Sequence, residues 1–170
     1  MTAFIALLRA VNVGGTGKLA MNDLRALCED AGFENVRTYI QSGNAVFASK
    51  LAKAKVKATL EAALTAHMGK PAAVIVRSAK EMSAILKANP FPGAPGNRVM
   101  VHFLDKPLAK GAVDGLTGPD GEEVKAKGRD VYIRYSEGMA HSKLKLPFAK
   151  QGTARNMNTV AKLAAMAGEI

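Results

Sequence analysis

The chain has 170 residues, 48% of them apolar. That suffices for a buried core in one domain or two small ones and excludes a wholly disordered chain. Lys and Arg number 24 against 14 Asp and Glu, a formal net charge of +10, and Cys28 is the single cysteine, so no internal disulfide can form and a reducing compartment is expected.

Residues 1–8 carry no basic leader start, Arg9 interrupts them, and the run is too short to span a membrane. They read as a buried strand over residues 4–9 of a cytoplasmic protein. A loop over residues 12–18 follows, with Gly14, Gly15 and Gly17. A helix is expected from Asn22 as N-cap, with Leu24, Leu27, Cys28 and Ala31 as its apolar stripe. Gly32 then serves as the C′ residue and Phe33 as its hydrophobic contact. Strands over 36–40 and 45–48 flank the turn Gln41-Ser42-Gly43-Asn44, making a hairpin. A second helix over 52–68 aligns Val56, Leu60, Leu64 and Met68, and a strand over 72–76 closes the unit.

This β-α-β-β-α-β order is that of a ferredoxin-like half. In that topology the first two strands run parallel with the third between them. Their ends then lie at one edge, roughly 10 Å apart, or two spacings of about 4.8 Å. The 12–18 loop and the 41–44 turn are therefore expected to converge.

Ser78 and Glu81 form a capping box that opens a third helix, through Lys87. Residues 89–96, NPFPGAPG, read as a stiff linker. A strand over 99–104, a short helix over 107–116 and a hairpin of 122–127 with 130–135 follow. A second short helix is expected over 142–150, interrupted at Pro147, and a last helix over 157–167 with Val160, Leu163 and Ala164 inward. The second half thus repeats the first loosely as β-α-β-β-α. The expected class is α+β with two similar ferredoxin-like halves, 1–77 and 98–170, joined by a helix and Pro/Gly linker over 78–97.

The glycine loop sits where backbone N–H groups could approach a phosphate. It is not a P-loop, since Asn12 occupies the first glycine position of that frame and Leu19 the hydroxyl position. A dinucleotide fingerprint fails on the spacing of its third glycine. The candidate anion site comprises Arg9, Asn12, Gly14, Gly15 and Lys18; the plain alternative is a tight turn needing positive φ. Gln41, Ser42 and Asn44 would line the facing wall of a polar pocket, although these residue types also suit a hairpin turn. Arg155 and Asn156 fall at the start of the last helix, as an anion contact or as a cap.

The positive excess is uneven, with eight basic and two acidic residues over 51–100. Residues 138–168 hold Lys143, Lys145, Lys150, Arg155 and Lys162 and no acidic residue. Ser142-Lys143 would carry nucleophile chemistry only with a buried lysine. His67, His102 and His141 lack metal-ligand spacing, and neither a metal nor a cofactor is expected. No catalytic constellation is recognisable. Tyr39 and Phe47 are the only aromatics on the inner hairpin, which argues against base stacking on the sheet and leaves phosphate-driven binding open.

Three stretches carry a family resemblance. They are residues 5–15 (IALLRAVNVGG) with Lys18, Met21 and Asp23-Leu24-Arg25; residues 32–44 (GFENVRTYIQSGN); and Ser142-Lys143 with residues 153–159 (TARNMNT). Together they resemble the bacterial domain-of-unknown-function family 1697, with Met157 where that family carries tryptophan. The resemblance implies two related α+β halves and no activity. The expected function is binding of a phosphorylated small molecule or nucleic acid through the loop edge and the basic C-terminal segment. Two alternatives stand beside it. One is an enzyme on a small anionic metabolite, clamped by Arg9, Lys18 and Arg155. The other is an interaction module using the lysine-rich helix or an open sheet edge.

Overall fold

The computed structural model describes residues 1–13, 15, 17–114, 116, 121–136 and 142–170. It is an α+β protein with two four-stranded antiparallel sheets. The chain divides into two compact units, Met1–Ser83 with Leu163–Ile170, and Ala84–Lys162.

In the first unit β1 (Thr2–Leu8) is central. It is followed by α1 (Met21–Asp30), β2 (Glu34–Thr38), β3 (Asn44–Ser49), α2 (Lys53–Met68) and β4 (Val74–Ser78). The sheet order is β2-β3-β1-β4, all pairs antiparallel, so β1 and β2 run parallel with β3 between them. This is the expected ferredoxin-like order. Phe4, Ala6 and Leu8 of β1 join Ala45 and Phe47 of β3 and Leu24, Cys28, Val56, Leu60 and Leu64 of the helices in one core. Phe33 stacks on Phe47 with ring centroids 4.3 Å apart. The other face of the sheet is buried as well, with Ile5, Leu7, Val46, Ile75 and Arg77.

Local signals place several boundaries. Helix α1 ends as anticipated: Gly32 N–H donates to Glu29 O and Phe33 N–H to Cys28 O, the paired bonds of a Schellman stop. Its start differs, because Ala20 is the N-cap and makes no side-chain cap bond. The capping box forms, with Ser78 N–H donating to Glu81 Oε1 at 2.9 Å and Glu81 N–H to Ser78 Oγ at 3.1 Å. It opens α3 (Ala79–Lys87).

In the second unit β5 (Val99–Leu104) is central, with β6 (Glu123–Lys127), β7 (Asp130–Arg134) and β8 (Gly152–Asn156) in the order β6-β7-β5-β8. The order repeats that of the first sheet element for element. Among the described residues of 107–116 the expected helix does not form; residues 110–114 are turns. Nor does the helix over 142–150, where only a 3-10 turn at Ala149–Gln151 appears. One face of this sheet, with Met100, Leu104, Val131, Ile133 and Tyr135, is covered by Leu108, Val113, Leu144, Leu146 and Phe148 from irregular segments. Strand β8, unanticipated, pairs with β5 from Gly152↔Leu104 to Asn156↔Met100. It leads into α4 (Met157–Gly168), whose last turns belong to the first unit.

Candidate functional site

The 12–18 loop and the 41–44 turn do converge. Asn12 Nδ2 donates to Gln41 O at 2.8 Å and to Leu19 O at 2.9 Å, while Leu19 N–H donates to Asn12 Oδ1 at 2.9 Å. One amide therefore closes its own loop and staples it to the turn. The loop is closed again by Asn12 N–H to Gly17 O at 2.9 Å. On the other side Leu8 N–H donates to Gly43 O at 2.9 Å.

Glycine is required at two of these contacts. A Cβ on Gly17, which has φ +62°, would meet Ala10 O at 2.6 Å. A Cβ on Gly43, with φ +92°, would meet Val11 Cγ2 at 2.6 Å and Leu8 Cβ at 2.9 Å. Within the turn, the buried Asn44 amide donates to Tyr39 O at 2.9 Å and to Ser42 Oγ at 3.0 Å.

Backbone strain gathers at the same edge. Among the described residues the non-glycine residues with positive φ are Ala10 (55°), Asn12 (54°), Asn35 (54°) and Ile40 (48°). Asn35 lies where the β2–β3 register slips by one residue, so a bulge accounts for it. The other three line the loop and the turn. Ile40 is the most unusual, because a β-branched residue avoids this region. The sequence places it at the end of a strand over 36–40, but β2 stops at Thr38 and Ile40 enters the turn.

The expected site residues can now be located. Arg9, half-exposed, and Lys18, exposed, flank the loop, and their side chains make no hydrogen bond or ion pair with a described residue. Gln41 is exposed; its carbonyl holds Asn12 while its side-chain amide is unused. Ser42 is exposed and Gly15 has φ +76° with open space around it. Gly14 lies outside the described residues. No acidic residue occurs between Arg9 and Asn22 or between Arg37 and Lys50. Sequence reasoning missed Val13 and Ile40, apolar side chains that are 61% and 47% exposed at this edge.

Arg155 and Asn156 belong to the second unit. Arg155 is not at a helix start but inside β8, and buried. Its Nη1 donates to Thr153 Oγ1 at 2.6 Å and to Ala154 O at 2.8 Å. Burial pushes its guanidinium down to about 10, so it keeps its charge at neutral pH. Asn156 caps α4, accepting from Thr159 N–H at 2.9 Å. Ser142 donates to the buried Glu122 Oε1 at 2.5 Å, and Lys143 is exposed. His102 sits edge-on to Phe148 with ring centroids 5.6 Å apart, and burial pushes its imidazole down to about 4. Beside Phe148 a cavity of about 310 Å³ is lined by Pro107, Leu108, Ala109, Ala112, Pro147 and Gln151. Cys28 lies in the core, and burial, with a smaller contribution from Glu29, raises its thiol to about 12, the state of an inert residue.

No group of three or more His, Cys, Asp and Glu side chains among the described residues could hold a metal ion. No helix among them is long and apolar enough to cross a membrane.

The comparison with known sequences and structures agrees with the resemblance read from the signatures. A family model described as a protein of unknown function (DUF1697) matches residues 1–132. The chain belongs to the DUF1697 family. The matched DUF1697 region contains both the glycine loop and the Gln41–Asn44 turn, while Arg155 and Asn156 lie beyond it. Among solved structures, the chain is similar to the conserved bacterial protein SP0830 from Streptococcus pneumoniae. The two are 29% identical over 98% of each chain, with a TM-score of 0.80. No curated protein matches it.

Proposed function

We propose that this DUF1697 protein binds a phosphate-bearing ligand, either a phosphorylated small molecule or a nucleic-acid backbone, at the loop-and-turn edge of its first unit. The observation that carries the reading is the clustering of strained backbone there. Ala10, Asn12 and Ile40 all hold positive φ at one edge. Such conformations cost about 1–3 kcal/mol each and persist where the surroundings over-determine them, most often at binding sites. The cations Arg9 and Lys18 stand on this edge without carboxylate partners. A Cβ added to Gly15 would meet nothing within 4 Å, so its backbone is open on that side to a ligand.

Two further features fit. The exposed Lys143, Lys145, Lys150 and Lys162 add to a positive field that would draw anions toward the protein. The buried, unreactive thiol of Cys28 suits a reducing cytoplasm. Asn12 and Asn44 act in this reading through the scaffold, since their amides hold the loop and turn in place.

Retention on immobilised phosphate and heparin tests it. The protein should bind at low salt and elute as salt rises, and an Arg9→Ser, Lys18→Ser double variant should elute at lower salt. Flow-through of the unmodified protein at low salt would refute the reading.

A further inference from the structure

The loop-and-turn edge offers more than charge. Val13 and Ile40 are among the most exposed large apolar side chains of the described residues, at 61% and 47%. Each adjoins, along the chain, one end of the 2.8 Å bond from Asn12 Nδ2 to Gln41 O. That bond joins the loop to the turn, so both residues stand at the same edge, each one residue along the chain from it. Neither contributes a fully buried group to the core. Ile40 in addition sits at φ +48°, where isoleucine is disfavoured and asparagine or glycine is not. A fold selected for stability alone has no use for that residue there.

The chemistry of the patch is mixed in a particular way. Arg9 and Lys18 supply positive charge, Val13 and Ile40 an apolar surface, and the Gln41 side chain an unused donor and acceptor. An inorganic anion would use only the first of these. A lipid phosphate would use the first two and leave the amide idle. A phosphate joined to a flat ring with donors and acceptors on its rim uses all three.

Resting on the anion reading above, we propose that the ligand is a nucleotide. Its phosphate lies on Arg9, Lys18 and the Gly15 amide, one face of its base lies against Val13 and Ile40, and the edge of the base is read by the Gln41 amide. Aliphatic side chains pack on a base face without the aromatic platform that this sheet lacks. The amide of Gln41, able to donate and accept at once, is suited to distinguishing one base from another.

The test compares ligands that share the phosphate and differ in the base. The full chain is titrated calorimetrically, at low salt, with ribose 5-phosphate and with the four nucleoside 5′-monophosphates. At least one nucleotide should bind about tenfold more tightly than the sugar phosphate. Val13→Ser and Ile40→Asn, the latter suited to φ +48°, should bring nucleotide affinity down to that of ribose 5-phosphate and leave ribose 5-phosphate binding unchanged. Gln41→Ala should level the differences among the four bases. Equal affinity for all five ligands would overturn the nucleotide proposal while the phosphate reading stands. Failure of all five to bind would overturn both.

Discussion

Replacing Asn12 with alanine removes three hydrogen bonds in one step: Nδ2 to Leu19 O, Nδ2 to Gln41 O, and Leu19 N–H to Oδ1. At about 1 kcal/mol net for each neutral bond, the loss is about 3 kcal/mol. Alanine also tolerates φ +54° less well than asparagine, which adds up to about 1 kcal/mol. Asn12→Ala should therefore lower stability by about 3–4 kcal/mol, read as a fall in the urea midpoint with the slope unchanged. Asn12→Gly loses the same bonds and accepts the backbone angle freely, so it should recover about 1 kcal/mol of that loss. Asn12→Asp keeps an acceptor for Leu19 N–H but turns a second oxygen toward two carbonyls, and should be no more stable than the alanine variant. If Asn12→Ala shifts stability by less than about 0.5 kcal/mol, the amide does not hold the loop to the turn and the account of this edge is wrong.

Ala10→Gly should raise stability by about 0.5–1 kcal/mol, because Ala10 is exposed at φ +55° and relief of the left-handed strain exceeds the entropic cost of glycine; a melting temperature below that of the parent would contradict this. The folded His102 imidazole titrates near 4 against an ordinary 6.5, so between these values the unfolded chain binds a proton that the folded chain refuses. Its contribution is complete above pH 6.5 and is lost as pH falls toward 4, by roughly 3 kcal/mol in all. His102→Gln should remove that part of the acid slope in denaturation curves, and an unchanged slope would count against it. Cys28, buried and raised to about 12, should react with a thiol-specific disulfide reagent at pH 8 only as fast as the protein unfolds; rapid labelling of the native protein would contradict its placement in the core.

Much of the first unit was legible because its signals are local. Helical spacing of Val56, Leu60 and Leu64, the Gly32-Phe33 stop and the Ser78–Glu81 box each imply a geometry that forms. Strand order followed from element order alone, and with it the meeting of the loop and the turn. What escaped depends on contacts between distant residues. Strand β8 reads Gly-Thr-Ala-Arg-Asn, with no apolar alternation, and becomes a strand through its pairing with β5. The segments at 107–116 and 142–150 looked helical, yet their apolar residues pack on the sheet from turns and irregular backbone. Ile40 reads as a strand residue by type, and only the turn geometry reveals its strained, exposed state. At the site, the residue types were legible and their division of labour was not. Asn12 spends its amide on the scaffold, whereas Gln41, one turn away, keeps its side chain unused.

The central claim is that the loop-and-turn edge is an anion site. It is tested most directly by following backbone amide resonances as inorganic phosphate is added at low ionic strength. The account predicts saturable shifts concentrated at Gly15, Lys18, Gln41 and Ser42, abolished in the Arg9→Ser, Lys18→Ser double variant. Saturable shifts centred elsewhere, or none at this edge, would contradict it.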